Sequence, residues 1–243
     1  MEVFSQAVLY FSTMAFGGWI IETIFRSIQQ KKLVNPGFLQ GPFVAVYGFG
    51  GLGIYVVTLL LPFERWGGWA WVAILLLPSV VEYIAGWFTE TFFHLKLWDY
   101  SDLPFHLHGR ICLLFSIFWG ILAIVVVFWV QPFVLSLLER LSLEWRWLLT
   151  GWLSMYLAVD FWFSARMYQR YARWVAHLKE NLAQLPEKFS FPSLSVRETQ
   201  RYFRHLFQPL YAFPHLAKQF RERVKEVPES FVEFIKRFLP KDE

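Results

Sequence analysis

The sequence predicts an all-α fold: a polytopic transmembrane helix bundle of about five spans, followed by a cytoplasmic tail of amphipathic helices. Three observations predict it. Of 243 residues, 56% are hydrophobic and only 17% charged, with 13 Trp and 27 Phe, a balance of membrane proteins rather than of soluble enzymes. The uncharged residues gather into runs long enough to cross a hydrocarbon core, which takes about 20 helical residues. The basic residues, by contrast, gather after the last of these runs.

The uncharged runs place spans at about 4–26, 42–62, 68–91, 111–132 and 147–165. The bundle is thus residues 1–165 and the tail residues 166–243. The residues before the first span carry Glu2 and no Lys or Arg, unlike the basic leader of a cleaved signal peptide, so the first helix is expected to stay in the mature protein. Basic residues near span ends set the orientation. Arg26, Lys31 and Lys32 follow span one, Lys96 and Arg110 flank the loop after span three, and Arg166, Arg170, Arg173 and Lys179 follow span five; the other side has Arg65, Arg140 and Arg146. This asymmetry predicts a multi-pass protein of the bacterial cytoplasmic membrane with its N-terminus outside and its C-terminus in the cytoplasm.

Span two contains "FVAVYGFGGLG", in which Gly48, Gly50 and Gly53 match the dinucleotide fingerprint G-x-G-x-x-G. That fingerprint needs a further strand and an acid about 20 residues on. Here an uncharged run follows instead, so no nucleotide cofactor is expected. Ala45, Gly48 and Gly51, three apart, are expected to form a small-residue face where a neighbouring helix packs closely.

In the tail, "SVRETQRYFRHLF" and "SFVEFIKRFL" each begin with the capping-box pattern Ser-x-x-Glu, at Ser195/Glu198 and Ser230/Glu233. Phe231, Phe234, Ile235, Phe238 and Leu239 form one apolar stripe beside basic residues. Anionic membrane lipids are one expected partner of such a helix, and packing of the helices on each other is the alternative. Acids alternate with the basic residues, which argues against nucleic acid. The single Cys112 excludes an intrachain disulfide and suits a buried apolar site.

Ionisable groups inside a bilayer cost about 2.5–3.5 kcal/mol each on the gentler scale, so each asks for a partner or a purpose. Glu22, Glu82, Glu90 and Asp160 qualify. At about 1.5 Å per residue, Glu22 lies about 27 Å along span one, and Glu82 and Asp160 about 20 Å along theirs. With Arg26, Arg110 and Arg166 at span ends on the same side, these positions predict a polar pocket open to the cytoplasm. Helical spacing places Glu22 with Arg26, and aligns Pro78, Glu82, Gly86, Glu90 and His94 on one face of span three, where Pro78 is expected to loosen the turn before Glu82. Glu82 has no basic residue one turn away. An ion-pair network holding helices in register is the alternative role of these groups.

The loop "HLKLWDYSDLPFHLHGRIC" brings His94, Asp99, Asp102, His106 and His108 close in sequence. Its spacing does not complete a tetrahedral set, so no metal is expected; Trp98, Tyr100 and the histidines suit interfacial anchoring. No Walker A, G-x-S-x-G or H-E-x-x-H pattern is present.

The stretches "GWIIETIF", "NPGFLQGPFVAVYGFGGLG", "VEYIAGWFTETFF", "LWDYSD" and "HGRICLLFSIFWG" follow one another across residues 17–120. In this order they resemble the bacterial membrane family of CmpB-type ABC-transporter permeases. The resemblance implies a multi-span plasma-membrane protein whose signature comprises Glu22, Gly41, Pro42, Tyr47, Gly48, Glu82, Glu90, Trp98, Asp99, Tyr100, Gly109, Arg110, Ile111 and Cys112. Two positions depart from it: Ala45 stands where Pro is more usual, and His108 where Asn commonly precedes Gly-Arg. A permease without an ATPase domain would need a separate ATP-binding subunit and a second copy of itself as a homodimer.

The leading functional expectation is a transport component whose pocket of Glu22, Arg26, Glu82, Glu90, Asp99, Tyr100, Arg110 and Asp160 admits a small polar or cationic solute, without being an enzyme. One alternative is a membrane enzyme acting on a lipid headgroup, with Glu82 or Glu90 as general base and Arg110 on a phosphate. The other is a structural or regulatory subunit whose carboxylates are all paired.

Overall fold

The computed structural model describes residues 2–31, 33–177, 209–210 and 212–224. Its order is α1 (Glu2–Gln30), α2 (Ala45–Leu60), a short α3 (Phe63–Trp66), α4 (Gly68–Phe93), a hairpin of β1 (His106–Leu107) and β2 (Ile111–Cys112), α5 (Leu113–Val125), a π-helical stretch (Val126–Val130), α6 (Gln131–Glu139), α7 (Leu143–Ala176) and α8 (Pro214–Val224). Among the described residues, three helical stretches are long and apolar enough to cross a membrane: Glu2–Gln30, Gly68–Phe93 and Leu113–Glu139. Helix α2 is apolar but has 16 residues, about 24 Å at the helical rise. The described residues fall into two compact units, Met1–Trp87 with Asp99–Trp162, and Phe88–Trp98 with Phe163–Glu243.

In the first unit α1 and α2 run antiparallel. Tyr47 meets Gly18, Met14 meets Gly51, and Tyr10 stacks on Tyr55 with ring centroids 5.1 Å apart. A Cβ on Gly48 would come within 2.6 Å of the Phe11 ring, and one on Gly51 within 2.7 Å of Met14. These glycines therefore set how closely the helices approach, which is how helices associate where no water drives burial. The fingerprint glycines lie inside one helix, and Gly53 faces Leu77 of α4.

Span two begins differently from its expected start at 42. Phe43 is not helical and Val44 is the extended N-cap of α2. The segment 33–44 instead runs back along α1 without helix. The Val34 N–H donates to Ser27 Oγ near the end of α1, and the Val44 N–H donates to the Ala15 carbonyl near its middle. Val34, Pro36, Leu39, Phe43 and Val44 of this segment are buried. Irregular backbone at this level must find internal hydrogen-bond partners, because lipid offers none.

Helix α4 stays continuous through Pro78, so the proline does not break it. It ends at His94, whose φ of 54° stops the helix. Between α5 and α6 the Gln131 N–H bonds the Val126 carbonyl, five residues back. Pro132, which lacks an N–H, follows directly, and this accounts for the widened turn. Gln131 Nε2 also donates to Thr58 Oγ1 of α2 at 3.0 Å. Ser5 and Thr150 share a buried hydrogen bond of 3.0 Å that ties α1 to α7.

The second unit, taken by itself, packs aromatic residues. Tyr168 meets Phe213 edge-on at 6.1 Å, and Leu210, Leu216, Ala217 and Phe220 are buried. Phe88 lies against Phe92 and Phe93. The capping boxes at Ser195/Glu198 and Ser230/Glu233 and the stripe from Phe231 to Leu239 lie outside the described residues.

Candidate functional site

Asp160 of α7 is 8% exposed and spends its carboxylate on backbone. Oδ1 accepts the Gln40 N–H at 3.0 Å and Oδ2 the Gly41 N–H at 2.9 Å. Two amides of the irregular segment before α2 thus find a charged acceptor inside the bundle, the costly kind of site for an unmet N–H. A Cβ at Gly41 would collide with the Tyr156 hydroxyl and come within 2.7 Å of Asp160 Oδ2, so a larger residue there would have to displace both side-chain ends. This arrangement gives Asp160 an anchoring role that its depth along the span did not reveal.

Glu22 and Arg26 form the pair expected from their spacing. Arg26 Nε and Nη2 both reach Glu22 Oε1, at 2.9 and 2.8 Å, and both side chains are about one-fifth exposed. The Tyr47 hydroxyl, on the first turn of α2, interacts with the same carboxylate.

Among the described residues Glu82 is the most enclosed of the acids, 5% exposed on α4. Its Oε1 accepts the Tyr100 hydroxyl at 2.9 Å, while Oε2 is buried without a hydrogen-bond partner. The Trp119 indole of α5 lies beside this carboxylate, its own N–H outside good hydrogen-bond geometry. Trp119 in turn meets the Tyr47 ring edge-on at 5.4 Å, and Tyr100 stacks on Phe115 at 4.8 Å. Glu22 acts electrostatically on Glu82, so the two acids share one neighbourhood. Burial, and then the Glu82 carboxylate, raise the pKa of the Tyr100 hydroxyl above its ordinary value, which keeps it a proton donor. Tyr100 is therefore the partner of a buried acid.

The remaining expected residues lie elsewhere. Arg110 Nη1 donates to the Tyr83 hydroxyl at 3.0 Å and the guanidinium sits 5.1 Å from that ring's centroid. Asp99 closes a local turn by accepting the N–H and hydroxyl of Ser101. Glu90 and Arg166 belong to the second unit. His108 and Gly109, with φ of 55° and 69°, occupy the centre of a turn closed by the Arg110 N–H on the Leu107 carbonyl. Positive φ at both positions is the geometry that favours Asn-Gly. Here His108 takes the first place and its Nδ1 lies 3.1 Å from the Tyr83 hydroxyl. Among the described residues no three His, Cys, Asp or Glu side chains converge as metal ligands would.

The site that emerges is a box of Glu22, Arg26, Tyr47, Glu82, Tyr100 and Trp119, drawn from α1, α2, α4, the loop and α5. Spacing alone did not mark Tyr47 or Trp119. Tyr47 stood in the signature implied by the family resemblance, and for Trp119 the signal was chemical, since an indole N–H on an apolar span needs a polar neighbour.

Comparison with known proteins yields one match. A family profile described as "Putative ABC-transporter type IV" matches residues 9–165, in agreement with the resemblance carried by the sequence motifs. No curated protein and no solved structure matches the chain.

Proposed function

Because the chain belongs to this ABC-transporter-related family of membrane proteins, we propose that it is a permease-like component that works with a separate ATP-binding subunit, with the Glu22–Arg26–Glu82 box on the path of a solute. The fuller topology belongs to this proposal: α2 and α7 complete a five-span bundle, the N-terminus is outside, and the tail is cytoplasmic and lies against anionic lipid. A second copy of the chain would complete the assembly.

The observation that carries the proposal is the different treatment of the acids. Glu22 is paired with Arg26, and Asp160 holds the Gln40 and Gly41 amides. Glu82 is buried on a span among neutral groups, with the Tyr100 hydroxyl on one oxygen, the Trp119 indole beside the carboxylate and no hydrogen bond completed on Oε2. Groups that only hold helices in register are expected to be paired, whereas an intramembrane carboxylate short of a partner is the mark of a solute or ion path.

The test is purification of the full chain from its native membrane in mild detergent. An ATP-binding subunit should accompany it in fixed ratio, and Glu82→Gln should change the ATP hydrolysis rate of the complex. Recovery of the chain alone, after chemical cross-linking of intact membranes, would remove the proposal.

A further inference from the structure

The geometry points to the Glu82 box as a binding site for the ammonium group of a monovalent organic cation, which rests on the transport reading and names its solute class. The charge count comes first. Two carboxylates, Glu22 and Glu82, share the box with one guanidinium, and Arg26 is held on Glu22 through both Nε and Nη2. One acid is left without a counter-charge, on a side chain 95% removed from solvent, whose Oε2 has no hydrogen-bond partner. A buried acceptor of this kind asks for a donor, and a buried charge for a counter-charge.

The lining then selects among cations. Calcium and magnesium ions take six or more oxygens, and zinc takes four His, Cys or carboxylate ligands, a set that does not converge among the described residues. Around Glu82 the structure instead supplies the rings of Tyr47, Tyr100 and Trp119, with the Tyr100 hydroxyl already committed to Oε1. Aromatic rings attract ammonium groups and tolerate the alkyl carbons attached to them. One carboxylate and three rings thus match a single positive charge carried on an apolar body.

The experiment is equilibrium binding to the full chain in lipid nanodiscs, with ethylammonium as probe, sodium as competitor and calorimetry with tryptophan fluorescence as readouts. One ethylammonium should bind per chain. Glu82→Gln should weaken it about tenfold or more, as loss of a desolvated charge partner does, and Trp119→Phe should weaken it and remove most of the fluorescence change. Ser136→Ala, on α6 with its hydroxyl on the Phe133 carbonyl, should leave it unchanged. Absence of saturable binding, equal binding to Glu82→Gln, or displacement by equimolar sodium overturns the inference. Should Glu82→Gln not fold, Trp119→Phe and Glu82→Asp carry the same test, and unchanged affinity in both overturns it. Failure here leaves co-purification of an ATP-binding subunit unaffected, and failure of that co-purification leaves ethylammonium binding unaffected.

Discussion

Asp160 accepts the Gly41 amide N–H at 2.9 Å across 119 residues of sequence, and its second oxygen takes the neighbouring Gln40 amide. This one side chain fixes where the irregular segment stops and α2 starts. Asp160→Ala should therefore destabilise the protein by about 2–4 kcal/mol, the scale for removing a charged acceptor from two enclosed donors. Asp160→Asn, which keeps one acceptor, should cost less. Thermal unfolding in detergent measures both, and an unshifted midpoint for Asp160→Ala would contradict the anchoring role.

The glycines of α2 offer a controlled pair. Gly48 faces the Phe11 ring, whereas a Cβ on Gly50 would meet nothing within 4 Å. Gly48→Ala should destabilise by about 1–3 kcal/mol through forced repacking. Gly50→Ala should be neutral or stabilise by up to about 1 kcal/mol through helix propensity. Equal effects in the same unfolding assay would show that the α1–α2 contact is looser than the structure has it.

The turn at His108 is held in left-handed backbone, with φ of 55°. Asn tolerates that region and β-branched residues do not. His108→Asn should retain full stability, while His108→Val should lose about 1–2 kcal/mol. Limited proteolysis of the hairpin, compared between the two variants, reads the difference locally.

Tyr100 supplies the hydrogen bond to Glu82, and its hydroxyl is held protonated by burial and by that carboxylate. Its pKa is raised in the folded state, so its contribution to stability is complete below the ordinary tyrosine value of about 10 and is lost as pH rises through the folded value. Wild type should thus lose stability more steeply above about pH 10 than Tyr100→Phe does. At pH 7, Tyr100→Phe should cost about 1–3 kcal/mol by leaving an enclosed carboxylate oxygen without a donor. Unfolding midpoints across pH 7 to 11 test both statements.

The sequence by itself determined the membrane character, the helical composition and the family. Each is written in local quantities: uncharged runs near Glu22 and Glu82, a paired acid and base one turn apart, and short motifs such as "HGRICLLFSIFWG". The Glu22–Arg26 pair was legible for the same reason, because a helix fixes the distance between residues four apart. Depth along a span was also legible, but depth does not say what a side chain faces.

Only the tertiary structure decided the partners. Asp160 and Glu82 stand at similar depths, yet one meets backbone amides from residues 40 and 41 and the other a tyrosine from a loop and an indole from α5. Those contacts depend on the non-helical path of residues 33–44 and on the left-handed turn at His108, neither of which has a period or a spacing to read. In a bilayer each buried polar group must find its partner within the protein, so the path of the backbone settles which acids are satisfied and leaves Glu82 with an open oxygen.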